Sequence, residues 1–303
     1  MKKPSCRDCR YSKILRLIEE AAEKSSSSSN SNSPSPSSLP STPSPVSFQE
    51  LSKKMSSELN HLIEMNETRK LLSKTMDVVG DPSYLDVVLN HISYLTPKSP
   101  TTEQIGSLWC SSGILAVAES VKCFKFYDSL LLSDKNVFLK RGVLKSFNLS
   151  SAFDFLVNPS SPSTDKAVFS KLAHENEKFR DSVKKYLSAI FEPLLELRIQ
   201  ENEYLLLNAI LLCNPGHSGL SPSARTILTE EQSKYGELLF ALCTTQNPQK
   251  GYLRFAEIMS LEHKLDSQMR LTKKIVDIVQ EDSCFHHTPK VVEEACKPYV
   301  SLF

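Results

Sequence analysis

The sequence predicts an all-α domain whose helices pack as a three-layer sandwich. The first observation is a helix over residues 203–213 that is apolar almost all round, so other helices must cover it on nearly all sides. The second is a composition with 40% hydrophobic residues but only 8 glycines among 303 residues, which lacks the turn signals of sheet folds. The third is helical periodicity, which persists from residue 47 almost to the end of the chain.

Three zones of composition divide the chain into residues 1–24, 25–46 and 47–303. The first zone is basic, with six Lys or Arg and one Asp among residues 1–16. Residues 25–45 hold twelve Ser and five Pro and no charged or aromatic residue, which is typical of a disordered linker. We therefore expect one helical domain over residues 47–303, tethered to a basic segment.

Capping signals and apolar spacing place the helices of this domain. The sequence Ser47-Phe-Gln-Glu50 is a capping box that begins the first helix, and Ser221-Pro222 begins another. The apolar spacing predicts the remaining helices over residues 83–95, 102–127, 134–147, 167–200, 203–213 and 251–280. Pro193 is expected to kink or interrupt its helix, and residues 158–164 to form a polar loop inside the domain.

Several classes of protein are disfavoured by composition and motifs. A net charge of +1 argues against a nucleic-acid surface along the whole chain. No signal peptide is recognisable, and no apolar run approaches the ~18 residues that span a bilayer. The eight scattered cysteines are expected to be reduced thiols. Since no phosphate loop, nucleophile elbow or HExxH motif occurs, we expect neither enzymatic activity nor a resident cofactor.

Two segments of the chain carry a resemblance to a known family. Residues 121–140 place Lys122 twelve residues before Asp134, which an apolar pair then follows, and residues 203–225 contain the buried helix and the Ser-Pro start. Their spacing resembles the ligand-binding domain of nuclear hormone receptors, and most of all the divergent receptors of nematodes. The resemblance implies the three-layer helical sandwich of that family and a transcription regulator that works in the nucleus.

The resemblance implies a surface groove that accepts a Leu-x-x-Leu-Leu helix from a coregulator. Lys122 would cap the carbonyl end of that helix, and Glu294, in a short C-terminal helix, would hold the other end. The rival C-terminal segment, residues 299–303, has no acid. The other expected groove residues are Ala118, Lys135, Asn136 and Leu139. Ala118 and Asn136 stand where larger apolar residues are usual. Apolar contacts in the groove should therefore contribute ~2–4 kcal/mol less to the binding of a coregulator.

A buried ion pair is the second expected site. Glu203 begins the enclosed helix, where an unpaired carboxylate would be very costly. The resemblance pairs it with Arg254, and a bidentate guanidinium–carboxylate contact suits such a water-poor position. The role of this pair is structural.

The resemblance also implies a ligand pocket and a dimer surface. An apolar pocket would suit a small hydrophobic ligand, with Asn148 as its nearest polar group. The expected lining residues are Cys110, Gly113, Ile114, Val117, Leu144, Phe147 and Asn148. The sequence leaves open whether side chains fill this space. Residues 251–280 would form the helix through which a homodimer or heterodimer assembles.

The basic N-terminal segment resembles the end of the receptor DNA-binding domain. Cys6 and Cys9, with the basic residues after them, are similar to its last two zinc ligands. A zinc site needs four ligands, and no other Cys or His occurs before His61. We interpret the segment as a degenerate remnant of the second zinc module, with no metal site of its own. Zinc would be expected only if the rest of the module were present, and DNA binding should be weak or absent.

Three functions are therefore open at the level of sequence. The first is a receptor-like regulator that binds a small apolar ligand and recruits coregulators. The second is a ligand-independent dimerisation module that modulates intact receptors. The third is an intracellular carrier of hydrophobic small molecules.

Overall fold

The computed structural model describes residues 48–89, 93–98, 111–158, 177–281 and 288–297. Within these ranges the chain forms nine α-helices, one 3-10 turn at Tyr127–Ser129 and one two-stranded ribbon. The helices are α1 (Phe48–Thr75), α2 (Tyr84–Leu89), α3 (Ser111–Val121), α4 (Leu132–Val157), α5 (Glu177–Leu197), α6 (Glu201–Leu212), α7 (Pro222–Gln246), α8 (Gly251–Glu281) and α9 (Lys290–Cys296). The strands are β1 (Met76–Val78) and β2 (Leu95–Pro97).

The helices pack in three layers. Helices α1 and α3 form one outer layer, α5 and α8 form the other, and α4, α6 and α7 lie between them. Helix α6 contacts α1, α4, α7 and α8, and it buries every residue from Glu203 to Leu212 except the half-buried Asn208. The predicted all-α, three-layer sandwich is confirmed. An apolar surface on all sides of one short helix is what requires a layer above and a layer below it.

A buried carboxylate joins the starts of α4 and α7. Ser221 caps α7, because its hydroxyl accepts a hydrogen bond from the Ala224 amide at 3.2 Å, and Pro222 follows as the first helical residue. The amide and the hydroxyl of Ser221 both donate to Asp134 at 2.8 Å. Asp134 is only 1% exposed, so this contact fixes the two helices relative to each other. The predicted Ser-Pro start of α7 is confirmed.

Helix α4 continues further than predicted, and α5 is not interrupted at its proline. Helix α4 runs without a break to Val157, although we predicted an end at residue 147, because Ala152 and Phe153 extend its buried face. Helix α5 passes through Pro193 without ending. Ile190 and Leu194 are fully buried on either side of that proline, and packing of α5 on α8 compensates for the missing backbone hydrogen bond.

The predicted helix over residues 83–95 is wrong in its second half. Helix α2 ends at Leu89, and β2 pairs antiparallel with β1 so that Val78 lies opposite Leu95. The Val79 amide also donates to the Tyr94 carbonyl at 2.8 Å, which extends the ribbon toward α2. Strands of three residues are too short to show an alternating pattern. The ribbon therefore joins the segment before α2 to the segment after it.

Several expectations lie outside the described residues. They include the basic segment, the Ser/Pro-rich linker, the capping residue Ser47 and the rival C-terminal segment over residues 299–303. In the part of the chain that the structure describes, no helix is both long enough and apolar enough to cross a bilayer.

Candidate functional site

Lys122 lies just beyond the end of α3 and contacts α2. Its ammonium donates to the Val87 carbonyl at 2.6 Å, in the last turn of α2. It also donates to the Glu119 carboxylate at 2.6 Å and to the Tyr94 hydroxyl at 3.4 Å. The side chain is 19% exposed. Lys122 therefore binds a carbonyl near the end of a helix of its own chain, and its role toward a coregulator helix stays a prediction.

Tyr94 and Glu119 support this lysine from the protein interior. The Tyr94 hydroxyl donates a hydrogen bond to the Glu119 carboxylate. Burial, and then this hydrogen bond, raise the pKa of Tyr94 well above its ordinary value, so the phenol stays protonated at neutral pH. Glu119 thus receives hydrogen bonds from both Lys122 and Tyr94, which fixes the lysine in its orientation.

Glu294 lies in α9 and contacts the opposite end of α2. Its carboxylate accepts a hydrogen bond from the Tyr84 amide at 3.3 Å. A second contact joins the same two segments, because the Lys290 amide at the start of α9 donates to Asp81 at 2.9 Å. The start of α2 and the residues just before it therefore lie beside α9.

Helix α2 has its own capping box. The Ser83 hydroxyl accepts a hydrogen bond from the Asp86 amide at 3.1 Å, and the Ser83 amide donates to the Asp86 carboxylate at 2.8 Å. The Ser83 hydroxyl also donates to the Asp86 carboxylate at 2.6 Å. This bond, and then the one from the Ser83 amide, lower the pKa of Asp86 below its ordinary value. The helix packs against α4 and α9.

The arrangement places α2 between the two predicted clamp residues. Lys122 binds a carbonyl in its last turn and Glu294 binds an amide in its first turn. These are the backbone groups that a helix leaves without an internal partner at its ends.

The other predicted groove residues occupy two kinds of environment. Ala118 and Leu139 are fully buried and belong to the core. Lys135 and Asn136 are half-buried on α4. The ammonium of Lys135 lies 5.0 Å from the centre of the Tyr127 ring, which is cation–π geometry. The carbonyl oxygen of the Asn136 side chain is buried and has no hydrogen-bond partner among the described residues.

Glu203 and Arg254 meet in a bidentate contact. The Nε and Nη2 atoms of Arg254 donate to the two carboxylate oxygens at 2.9 and 2.7 Å. The third nitrogen donates to the Leu197 carbonyl at 2.5 Å, and the Gln200 amide also donates to Glu203. The hydrogen bond with Glu203 raises the pKa of Arg254. Glu203 is only 1% exposed and the Arg254 side chain is 25% exposed, so this pair joins the start of α6 to the start of α8 with its carboxylate buried.

A buried cation, Arg69, was not predicted from the sequence. It donates to Asp154 at 2.7 Å and to the Asn66 side chain at 3.0 Å. The Tyr204 hydroxyl extends the cluster by donating to Ser150 at 2.9 Å. The cluster joins α1, α4 and α6. Nothing in the sequence singles out Arg69, because charged residues occur throughout α1.

A small cavity of about 30 Å³ lies between α1, α3, α4 and α6. Side chains of Asn66, Ser146 and Asn208 line it, and each has a buried polar atom without a partner among the described residues. This volume and three polar groups suit a buried water molecule. Ligand pockets typically measure about 300–1,000 Å³, so this cavity is not one of them.

The expected ligand-pocket residues lie in the interior of α3 and α4. The buried members of the set are Gly113, Ile114, Val117, Leu144 and Asn148, whereas Phe147 is half-buried. Asn148 accepts a hydrogen bond from the Tyr186 hydroxyl at 3.0 Å and donates to the Met269 sulfur at 3.6 Å. Cys110 lies outside the described residues.

The expected dimerisation helix corresponds to α8, which covers residues 251–281. Tyr252 and Leu253 in its first turn are exposed, as is Phe240 of the adjacent α7. Phe240 packs edge-on against Phe255 at 5.5 Å between ring centres. An apolar patch therefore lies on the outer surface where α7 and α8 meet.

Within the residues that the structure describes, no group of three or more His, Cys, Asp or Glu side chains is arranged to hold a metal ion. Cys6 and Cys9 lie outside those residues.

Comparisons with known proteins bear on fold and family. The family model for the ligand-binding domain of nuclear hormone receptors matches residues 96–280. The chain is 32% identical to nuclear hormone receptor family member nhr-124 of Caenorhabditis elegans, over 97% of this chain and 81% of that protein. It is 26% identical to family member nhr-51 of the same organism, over 87% of this chain and 68% of the relative.

Among solved structures, the chain resembles the Ultraspiracle ligand-binding domain from Drosophila melanogaster. The TM-score is 0.53 at 17% identity, over 80% of this chain and 96% of that domain. This likeness concerns the fold, in agreement with the three helical layers described above. The family model covers more than half of the chain, and the nematode relative is similar over nearly all of it. The chain belongs to the nuclear hormone receptor family.

Proposed function

We propose that this chain regulates transcription in the nucleus by binding a coregulator helix between Lys122 and Glu294. One observation supports the proposal above all: these two side chains already hold a carbonyl and an amide at opposite ends of a helix. Every helix presents the same backbone groups at its ends. The surface therefore suits a helix from another protein as well as one from this chain.

The apolar side chains of α2 indicate what kind of external helix would fit. Tyr84 and Val87 are fully buried three residues apart, which is the spacing of the first two leucines in Leu-x-x-Leu-Leu. Asn136 on α4 replaces an expected apolar residue, so we expect a coregulator to bind less tightly than in receptors with an apolar groove.

Photocrosslinking tests this proposal. A peptide with one central Leu-x-x-Leu-Leu sequence and an adjacent photoreactive residue is mixed with the full chain at saturating concentration. We expect crosslinks within α4 and α9, and we expect excess unlabelled peptide to abolish them. The matched control peptide carries alanine at the three leucines. Equal crosslinking by the alanine control peptide, or crosslinks that map far from α4 and α9, would contradict the proposal.

We also propose that the chain dimerises, with a second copy or another receptor, through the surface where α7 and α8 meet. The exposed side chains of Phe240, Tyr252 and Leu253 support this second proposal, because a contiguous apolar patch often marks an interface. Sedimentation of the variant with Tyr252→Ser and Leu253→Ser should report a monomer. The control is Leu195→Ser, which changes a still more exposed leucine on α5. Dimers in both variants would exclude this surface.

A small apolar ligand is the remaining part of the proposal. The buried apolar residues of α3 and α4, with Asn148 of α4 as a polar group among them, support such a site. Native mass spectrometry of the full chain purified from cells should detect a bound mass that denaturation releases. A spectrum of the bare chain alone would argue for a regulator that works without a ligand. The family is generally non-enzymatic, and we propose no catalytic activity.

A further inference from the structure

We propose that α2 is an internal occupant of the coregulator groove, which an external coregulator helix must displace. The inference rests on the proposed function above, because it takes the surface between Lys122 and Glu294 as the coregulator site. It adds that the chain blocks this site with a helix of its own.

The hydrogen bonds of Lys122 show why two helices cannot use it together. A lysine ammonium has three N–H donors. In this structure they face the Val87 carbonyl, the Glu119 carboxylate and the Tyr94 hydroxyl, at 2.6, 2.6 and 3.4 Å. A second helix would need the donor that Val87 now holds. Binding of an external carbonyl end therefore requires that Val87 leave.

The buried side chains of α2 follow the pattern of a coregulator motif. In Tyr84-Leu-Asp-Val-Val88, the first and fourth residues are fully buried and the fifth is half-buried. These positions correspond to the three leucines of Leu-x-x-Leu-Leu. The two leucines of α2 lie on its other face, where Leu85 and Leu89 are 44% and 53% exposed. The helix therefore has one docked face and one solvent face.

Helix α2 is also too short to be stable alone. Isolated helices of fewer than ~12 residues are marginal in water, and α2 has six residues. The Ser83 capping box and the ribbon of β1 and β2 hold its ends, but most of its stability must come from the docked face. An α2 that leaves the groove should therefore unfold, which makes its state measurable by hydrogen exchange.

The decisive experiment compares variants on the two faces of α2 in the full chain. Val87→Asp places a charge on the docked face, and Leu89→Asp places the same charge on the exposed face as the matched control. Ser83→Ala is a milder variant that removes the cap and leaves the groove unchanged. Each protein is titrated with a fluorescently labelled Leu-x-x-Leu-Leu peptide, and amide exchange of residues 84–89 is followed by mass spectrometry.

We expect Val87→Asp to tighten peptide binding by about tenfold, because apparent affinity rises with the fraction of open groove. Ser83→Ala should give a smaller increase in the same direction, and it keeps the test valid if Val87→Asp does not fold. Both variants should speed exchange of residues 84–89. Leu89→Asp should match the wild-type protein in both measurements.

The opposing results separate this inference from the proposed function. If the wild-type protein binds the peptide as tightly as Val87→Asp and Ser83→Ala do, α2 does not block the groove, and the inference fails while the proposed function stands. If the peptide binds none of the proteins although exchange shows α2 released, the proposed function fails, and the inference fails with it.

Discussion

Two charged contacts of this chain use similar side chains in different ways. Arg254 and Glu203 bind each other at the start of α6 and α8, where the carboxylate is 1% exposed. Lys122 and Glu294 do not bind each other; each binds a backbone group of α2. The first contact is specific to its two partners, whereas the second accepts a feature that every helix has. The comparison indicates that a contact between two charged side chains is fixed to its partners, whereas a contact with backbone groups of a helix would, on our proposal, be exchangeable.

The largest effect should follow from removal of one side of the buried pair. Arg254→Met leaves the Glu203 carboxylate buried without its cation, which should lower the free energy of unfolding by ~3–5 kcal/mol. Denaturation in urea at neutral pH measures this change. The control is Lys250→Met, an exposed cation in the preceding turn. A loss below about 1 kcal/mol for Arg254→Met would mean that the pair is not a fixed core contact.

The free energy of unfolding should depend on pH through His217, which lies in the loop between α6 and α7. Burial, and then the nearby Lys145 and Arg141, lower the pKa of His217 from 6.5 to about 4. Between these values the unfolded chain binds a proton that the folded chain does not. The free energy of unfolding should therefore fall as pH decreases from 6.5 to 4, by at most about 3 kcal/mol.

Urea unfolding at several pH values tests this expectation. His217→Gln should remove its part of the pH dependence in that interval, whereas His263→Gln, on the exposed face of α8, serves as the control. Equal pH profiles for the wild-type protein and His217→Gln would show that His217 takes up its proton without opposing the fold.

A smaller effect is expected from the exchangeable contact. Lys122→Gln removes a charged donor to the Val87 carbonyl in a position where the side chain is 19% exposed, which should cost about 1–2 kcal/mol. Urea denaturation measures it, and Lys125→Gln, a more exposed lysine nearby, is the control. A loss as large as that of Arg254→Met would place Lys122 among the fixed contacts and would remove the distinction between the two sites.

The smallest effect should come from Tyr84, and it should be stabilising or neutral. Its hydroxyl is buried, without a partner among the described residues. Tyr84→Phe removes this unpaired group and keeps the ring, so the free energy of unfolding should stay the same or rise by up to about 1 kcal/mol. If α2 occupies the groove, the same variant should bind the labelled peptide no more tightly than the wild-type protein. A clear loss of stability would reveal a partner for the hydroxyl.

The sequence predicted those parts of the fold in which one element carries its own signal. Helix α6 is apolar on all sides, so its layers could be inferred, and Ser221 with Pro222 marks a helix start by local chemistry alone. The ribbon and the true end of α2 could not be inferred in this way. Their residues are ordered by contacts with Lys122, Tyr94 and distant α9, and such contacts leave no local pattern.

The candidate site was predictable to a similar degree. The resemblance named Lys122 and Glu294, and the structure brings both to the same helix, but their role toward a coregulator stays a prediction. The helix between them was not foreseen, because Tyr84, Val87 and Val88 resemble any short amphipathic segment until its neighbours are known. Arg69 was missed because a buried cation on a long charged helix cannot be told from an exposed one by sequence.

The ribbon of β1 and β2 has a quantitative consequence. The ribbon is joined to α2 by short segments, so α2 cannot move far from the groove. A short tether of this kind gives α2 an effective local concentration at the groove roughly in the millimolar range. On our proposal, a coregulator helix would have to compete with α2 at that local concentration instead of binding to an empty surface. Its occupancy therefore depends on cellular abundance as well as on complementarity. Changes in the loops that flank α2 would shift the coregulator concentration needed to displace it, while every residue of the groove stayed the same.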